Sequence, residues 1–219
     1  MRFFPTGRAA RVRLAILVCV LIGVGYTFNA QAVWYRLGYA PQEGDIVFQS
    51  LPHAELVDAI EGVTRSPYSH CGVVLRSGER WMVIESLGNV HETPLLQWIA
   101  RGRKGGFAVY RLDAKYKPVM PEFARQLRTY TGLLYDFDYE MSDKAIYCSE
   151  LPYKAFQKTT GEELGKLEKL GNLDWKPFET FIKSVQEGRL PLDRLMITPV
   201  SLSRASQLKE VYRKGIRAP

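Results

Sequence analysis

Residues 66–85 read SPYSHCGVVLRSGERWMVIE, and this stretch decides the class of fold. A cluster of turn-forming residues comes first, and two short runs rich in valine and other β-formers follow it. The dipeptide Ser77-Gly78 separates the two runs and has the composition of a tight turn. The pattern therefore predicts an antiparallel hairpin, with strands at 70–75 and 81–85.

The turn also determines which residues of the hairpin face each other. If the dipeptide is a two-residue loop, Arg76 pairs with Glu79. The same register puts Glu85 directly opposite His70, and opposed side chains lie about 5 Å apart. Because a carboxylate beside an imidazole fixes its tautomer and stabilises the imidazolium, the hairpin predicts a functional His70–Glu85 pair. The simpler alternatives are a structural histidine and a hydrogen-bonded acid at a strand end.

Two cysteines, Cys71 and Cys148, belong to the part of the chain that carries these motifs. Strand alternation turns Cys71 away from His70, which makes it a small core residue. Cys148 precedes residues with helical spacing, so we expect its thiol at a helix N-terminus, where the dipole favours a thiolate and the N–H groups can bind an oxyanion. Cys148 is therefore the candidate nucleophile. The alternatives are a Cys71–Cys148 disulfide and a buried structural thiol.

The rest of the chain mixes helices with single strands. We expect a strand at 44–48, helices at 53–61, 94–99, 121–131 and 148–157, a strand at 107–112, polar helical structure over 160–190 and a short helix at 203–212. This order predicts an α+β fold with a small antiparallel sheet packed on helices, not βαβ repeats. Phosphate-binding glycine loops and an H-E-x-x-H pattern are missing from the sequence, so we expect no cofactor and no metal. Either His53 or His91 can replace Glu85 as the group that orients His70.

Composition places the chain among ordinary globular proteins. Of its 219 residues, 46% are hydrophobic and 24% are charged, which excludes an intrinsically disordered chain. The net charge is +7, but four arginines and no acidic residue fall within residues 1–32, which leaves +3 for residues 33–219. Because the remaining chain carries so little excess charge, we expect no nucleic-acid partner.

The N-terminus has the pattern of an export signal. Arginines up to Arg13 precede an uncharged, largely apolar run at 14–28, and residues 30–32 (AQA) form a small-x-small site. The run is shorter than the ~20 residues that a membrane-spanning helix needs, which favours a cleaved signal peptide. An uncleaved anchor is the alternative, because Trp34 and Tyr35 can extend the run to the membrane interface. Either outcome predicts an exported protein, periplasmic in a bacterium with an outer membrane.

Taken together, the motifs resemble a known family. The resemblance is carried by Gly44-Asp45, Ser66-x-Tyr68-Ser69-His70-x-Gly72, Val83-Ile84-Glu85, Tyr135-Asp136, Tyr147-Cys148-Ser149-Glu150-Leu151 and Ile197-Thr198-Pro199. These blocks are similar to those of the permuted papain-like amidases of the YaeF/YiiX type, which are relatives of the NlpC cell-wall hydrolases. The resemblance implies a circularly permuted papain-like (NlpC-like) fold, in which the histidine strand comes first and the nucleophile helix comes late.

The resemblance also implies roles for individual residues. It makes Cys148 the nucleophile, His70 the general base and Glu85 the orienting group of an acyl-enzyme mechanism. Three tyrosines of the same motifs are expected to contact the substrate: Tyr68, Tyr135 and Tyr147. The chain then divides into a signal peptide or membrane anchor at 1–32, a linker at 33–43 and the hydrolase domain at 44–219. The poorly matched segment 157–195 is expected to shape the substrate side.

Three classes of function fit these features. The favoured one is an exported cysteine amidase or peptidase that acts on envelope or cell-wall peptides. The second is an acyl-ester hydrolase or acyltransferase acting on lipids, since permuted papain relatives include such enzymes. The third is a non-catalytic, anchored binding protein with a disulfide between its cysteines. The predicted partners are a peptide or acyl-containing envelope substrate and, if the N-terminal segment is not cleaved, the membrane.

Overall fold

The computed structural model describes residues 38–219. The predicted signal peptide or anchor at 1–32 and the first residues of the predicted linker at 33–43 lie outside the described residues. Residues 41–219 form one compact unit. Within the described part of the chain, no helix combines the length and the apolar character needed to cross a bilayer.

Residues 38–219 form eight strands and six α-helices. The strands are β1 Ile46–Gln49, β2 His70–Ser77, β3 Arg80–Leu87, β4 Asn89–Pro94, β5 Phe107–Leu112, β6 Glu168–Lys169, β7 Leu195–Met196 and β8 Leu208–Lys214. The helices are α1 Glu55–Thr64, α2 Leu95–Arg101, α3 Met120–Thr129, α4 Glu150–Thr160, α5 Glu179–Val185 and α6 Pro199–Ser203.

The main sheet is antiparallel throughout. Its strand order is β4-β3-β2-β1-β5-β8, and β6 and β7 pair separately as a two-stranded ribbon. The predicted hairpin is confirmed as β2–β3. Helices together with an antiparallel sheet confirm the predicted α+β class, since neighbouring strands are joined by hairpins or by long helical connections.

The hydrophobic core lies between one face of the sheet and helices α3 and α4. Cys71 and Leu75 of β2 belong to this core, together with apolar residues of both helices. Phe123 of α3 meets Phe156 of α4 edge to face, with ring centroids 6.1 Å apart. Helix α2 contacts β3 and β4. Its Trp98 donates a hydrogen bond to Glu85, whose side chain lies on the other face of the sheet. The sheet thereby separates the main core from the polar cluster beside α2.

The loop of the β2–β3 hairpin lies one residue later than predicted. Ser77 pairs with Arg80, so the two-residue loop is Gly78-Glu79 and not Ser77-Gly78. Gly78 has a φ of +59°, a left-handed conformation that glycine adopts without steric cost. The predicted pairing is therefore wrong by two residues.

This shift moves Glu85 out of the position opposite His70. The continued ladder puts Glu85 opposite Gly72, where an added Cβ would lie 3.3 Å from the Cβ of Glu85. Because side chains alternate with a period of two, a shift of two residues leaves Glu85 and His70 on one face as diagonal neighbours. The predicted contact between the two side chains is confirmed even though the predicted opposition is wrong.

Two predicted helical stretches are also wrong. Over 160–190 the chain forms the strand β6, short 3-10 turns and the helix α5 instead of continuous helical structure. Gly161 and Gly165, with left-handed φ values of +77° and +89°, interrupt helical structure at the start of the segment. The helix predicted at 203–212 is replaced by α6 and the strand β8. Pairing with the edge of β5 satisfies the backbone hydrogen-bonding groups of β8, and this outweighs the local helix propensity of the segment.

Candidate active site

Cys148 lies at the entrance to helix α4. It precedes the N-cap residue Ser149, and the helix begins at Glu150, two residues after the predicted start. The hydroxyl of Ser149 donates to the carbonyl of Ile197 at 2.8 Å, and the hydroxyl of Tyr147 accepts from the Ile197 N–H at 3.0 Å. These bonds fix the loop that carries Cys148 and leave its thiol near the positive end of the helix dipole.

His70 and Glu85 form a buried pair. The Nε2 atom of His70 lies 2.5 Å from Oε2 of Glu85, and the side chains are 2% and 0% exposed. The imidazole also interacts with Cys148, and this interaction raises the pKa of His70. Because Glu85 occupies Nε2, Nδ1 is the nitrogen left to face the Cys148 sulfur. The fold thus brings together the three residues predicted to be catalytic, Glu85, His70 and Cys148. They lie up to 78 positions apart in the chain.

Further donors converge on the Glu85 carboxylate. Thr93 donates to Oε1 at 2.6 Å, Trp98 Nε1 donates to Oε2 at 3.0 Å, and Arg101 forms an ion pair with Oε2. Burial by itself raises the pKa of Glu85, but the hydrogen bonds from His70 and Thr93 and the nearby positive charges lower it to about 2. The carboxylate therefore stays ionised at neutral pH and holds His70 in place.

Cys148 and His70 have the electrostatics of a thiolate–imidazolium pair. The contact with the Cys71 thiol lowers the pKa of Cys148 most, burial opposes this, and the hydrogen bond with His70 lowers it further, to well below the usual range. Burial lowers the pKa of His70, but its hydrogen bonds to Cys148 and Glu85 outweigh burial and raise the pKa to about 9. A cysteine held in this way is poised as a nucleophile at neutral pH.

Cys71 lies in the core, as strand alternation predicts, and its thiol also contacts Cys148. Both thiols are free. Burial raises the pKa of Cys71, and the neighbouring Cys148 raises it further. Cys71 therefore stays protonated and can donate its S–H to the Cys148 sulfur, a contact that the sequence did not predict.

A pocket adjoins Cys148. Cys148 is one of the residues that line it. Two of the tyrosines predicted to contact the substrate, Tyr135 and Tyr147, line this pocket. The third, Tyr68, is fully buried in the core, where its ring stacks on Phe48 with centroids 5.1 Å apart.

The other two histidines take different positions. His53 is largely exposed, and its Nδ1 lies 2.8 Å from Asp58. His91 pairs with Glu85 across β3 and β4, and its Nε2 lies 3.7 Å from Oε1 of that residue. Within the described residues, Glu85 is the carboxylate that bonds His70.

Sequence reasoning missed the residues that hold Glu85. Trp98 and Arg101 are three positions apart, which places them on one face of α2. The sequence shows that spacing, but it does not show which strand α2 packs against. Gln49 was also missed; it pairs with His70 across β1 and β2 and is completely buried.

Comparison with known proteins agrees with this geometry. The permuted papain-like amidase enzymes of the YaeF/YiiX, C92 family match residues 40–212. The chain is 32% identical over 179 residues to the uncharacterized protein YiiX of Escherichia coli (strain K12), covering 80% of this chain and 88% of that protein. It is also similar to the crystal structure of metalloprotein YiiX from Escherichia coli O157:H7, with 33% identity and a TM-score of 0.76 over 80% of this chain and 99% of the other. The chain therefore belongs to the permuted papain-like amidases of the YaeF/YiiX family.

Proposed function

We propose that this protein is a cysteine amidase with Cys148 as nucleophile, His70 as general base and acid, and Glu85 as the residue that orients His70. The observation that supports these roles most directly is the buried line of contacts from Glu85 through His70 to Cys148. The family supplies the reaction class, which is hydrolysis of an amide bond.

The first half of the reaction acylates the enzyme. The Cys148 thiolate attacks the carbonyl carbon of the amide, and we expect N–H groups at the start of α4 to stabilise the oxyanion. Protonated His70 then gives its proton to the amine nitrogen as the C–N bond breaks. The amine leaves, and the acyl group remains on Cys148 as a thioester.

The second half releases the acyl group. Neutral His70 takes a proton from water, and the resulting hydroxide attacks the thioester carbonyl. The C–S bond breaks, the acid leaves and the thiolate–imidazolium pair is restored. Throughout both steps, Glu85 remains ionised, and its bond to Nε2 leaves Nδ1 as the nitrogen available to exchange a proton.

The related Escherichia coli structure is described as that of a metalloprotein. In the described part of this chain, no group of three or more His, Cys, Asp or Glu side chains is arranged to hold a metal ion. His70 and Glu85 are bonded to each other. The residues present do not fit a metal centre, and the steps above use protein groups and water.

The envelope is the proposed place of action. The export pattern in residues 1–32 supports it, and envelope or cell-wall peptides are the substrates predicted from the motifs. Fractionation of cells that make the full chain tests the location, since recovery in the cytoplasm would contradict it. Purified cell-wall stem peptides, analysed by mass spectrometry after incubation, test the substrate.

A labelled amide tests the chemistry. We expect the full chain to release para-nitroaniline from an acyl para-nitroanilide and to carry the acyl group on Cys148, detected by mass spectrometry of trapped protein. Cys148→Ala should abolish both signals, and His70→Ala should slow release at least ~100-fold. His53→Ala is the matched control, because this exposed histidine contacts Asp58 and should leave the rate unchanged. Release at the original rate by Cys148→Ala would refute the proposal.

A further inference from the structure

Cys71 is a second buried thiol that the proposed reaction does not use. Its side chain is completely buried on the face of β2 that packs against helix α4. The thiol interacts with that of Cys148, and both thiols are free. The fold therefore holds two reduced sulfurs next to each other, and one of them is the proposed nucleophile.

The residues around the two cysteines fix their positions. Cys71 pairs with Phe48 of β1, and the continued register of β2 and β3 puts Ser86 on its other side. The hydroxyl of Ser86 donates to the carbonyl oxygen of Ile146 at 2.6 Å. Because Ile146 lies two residues before Cys148, this bond holds the loop that carries Cys148 against the face of the sheet that carries the Cys71 thiol.

The two thiols differ in their reactivity towards oxidants. The pKa of Cys148 lies well below the usual range, whereas burial and the neighbouring Cys148 raise the pKa of Cys71. Oxidants attack the thiolate form of cysteine, so Cys148 is the thiol that is oxidised first. Cys148 also lines the pocket, which gives a small oxidant a way to its sulfur, and Cys71 is completely buried behind it.

We propose that Cys71 is the resolving cysteine of a reversible oxidation site, in which oxidised Cys148 is trapped as a Cys71–Cys148 disulfide. The inference goes beyond the proposed function, because it concerns the enzyme without substrate and needs no amide. The disulfide blocks the proposed nucleophile and protects it from irreversible oxidation to the sulfinic acid. Thiol–disulfide exchange with a reduced dithiol restores both cysteines.

The first step consumes one molecule of a hydroperoxide. The Cys148 thiolate attacks one peroxide oxygen, so that an S–O bond forms and the O–O bond breaks. The departing oxygen takes the proton of His70 and leaves as an alcohol, or as water when the oxidant is hydrogen peroxide. Cys148 is now a sulfenic acid, and His70 is neutral.

The second step forms the disulfide. The sulfenic acid carries no thiolate charge, which removes one of the two causes that raise the pKa of Cys71. The Cys71 sulfur attacks the Cys148 sulfur, the S–S bond forms as the S–O bond breaks, and the hydroxide leaves with the thiol proton as water. Over both steps, two electrons pass from the two sulfurs to the peroxide.

Treatment of the full chain with excess hydrogen peroxide tests the inference. Every protein in the series carries Cys19→Ser, which removes the third cysteine of the sequence. Digestion without reductant and mass spectrometry identify the products. We expect protein of monomer mass in which the peptides of Cys71 and Cys148 are linked, and the link should disappear on treatment with dithiothreitol. A sulfinic acid at Cys148 beside a free Cys71, a link between two chains, or no reaction of Cys148 with peroxide would each overturn the inference.

A pair of variants separates the chemistry of Cys71 from its packing. Cys71→Ala removes the thiol, whereas Val73→Ala shortens an equally buried side chain on the same face of β2 and keeps the thiol. After peroxide and then dithiothreitol, the proteins are unfolded and labelled with iodoacetamide, so that the pKa of Cys148 in the fold does not affect the result. We expect the labelled fraction of Cys148 to be at least ~tenfold lower in Cys71→Ala than in Val73→Ala. Equal fractions would overturn the proposal.

These measurements do not depend on turnover. Peptide mapping of the protein that retains both Cys71 and Cys148 decides the question even if Cys71→Ala fails to fold. Loss of amide hydrolysis in every protein would refute the proposed function and leave the disulfide result standing. Amide hydrolysis together with a sulfinic acid at Cys148 would refute this inference alone.

Discussion

Gly72 and Glu85 face each other across β2 and β3, and the Glu85 carboxylate reaches diagonally to His70. A Cβ at position 72 would lie 2.4 Å from Cγ1 of Val83 and 2.9 Å from the carbonyl oxygen of Ile84. The glycine of the histidine motif is therefore required for close packing against Val83 and Ile84, which precede Glu85 on β3. It links the local sequence motif to the geometry of the site.

Gly72→Ala should disturb this pair. The added methyl must displace β3, which we expect to destabilise the fold by about 1–3 kcal/mol and to slow alkylation of Cys148 at neutral pH. Thermal unfolding and iodoacetamide labelling measure the two effects. Gly78→Ala is the control, because it strains the loop of the same hairpin with no atom within 4 Å of the new Cβ. Equal labelling of Gly72→Ala and the original protein would contradict this account.

Glu85→Gln should make the site less tolerant of alkaline pH. Glu85 helps to raise the pKa of His70 to about 9, and the attack step needs His70 protonated. With the charge removed, the pKa of His70 falls and the alkaline limit of kcat/KM moves to lower pH. His91→Gln, which changes a half-exposed neighbour of Glu85, should keep the limit where it is. A pH–rate profile of each variant measures the alkaline limit of kcat/KM. An unchanged limit in Glu85→Gln would exclude the proposed role of Glu85 in orienting His70.

Arg101→Leu should have the opposite effect on His70. Arg101 and His70 both contact Oε2 of Glu85, so the guanidinium competes for the carboxylate and repels the imidazolium. Its removal should move the alkaline limit of kcat/KM to higher pH while it destabilises the fold by about 2 kcal/mol, because a charge-assisted hydrogen bond is lost. Arg101→Lys should restore much of the original profile. A shift to lower pH in Arg101→Leu would contradict the competition.

Cys71→Ala should make Cys148 less acidic. The contact with the Cys71 thiol contributes most to the lowered pKa of Cys148, so its loss should move the pH midpoint of alkylation upward. Cys71→Ser retains a donor and should lie closer to the original protein. Quantitative labelling with iodoacetamide over a pH series measures the midpoints. Coincident curves for all three proteins would show that the neighbouring thiol has no influence.

Acid stability should depend on Glu85. Its pKa falls from 4.5 to about 2 on folding, so the stabilisation is complete above pH 4.5 and is lost as the pH falls through 2. The shift corresponds to about 3 kcal/mol. Urea unfolding between neutral and acidic pH should show this loss in the original protein and a flatter dependence in Glu85→Gln. Parallel curves would mean that the carboxylate is not stabilised by folding.

Much of the candidate active site could be predicted from local sequence patterns. The pairing of His70 with Glu85 followed from alternation along a hairpin, and alternation survives an error of two residues in register. The position of Cys148 near a helix N-terminus followed from the spacing of the apolar residues after it. Local signals of this kind depend on neighbours in the chain, which is why they could be recognised without the fold.

The sequence by itself therefore predicted the α+β class, the family resemblance and the three candidate catalytic residues, because periodicity and motif spacing are local properties. The register of β2 and β3, the contact of Arg101 with Glu85 and the thiol contact of Cys71 with Cys148 depended on packing in three dimensions. The pocket is the clearest case, since Val63 and Phe181 lie far apart in the chain and line one space. Only the closure of segment 157–195 on α1 brings them together, and no pattern within either segment encodes that contact.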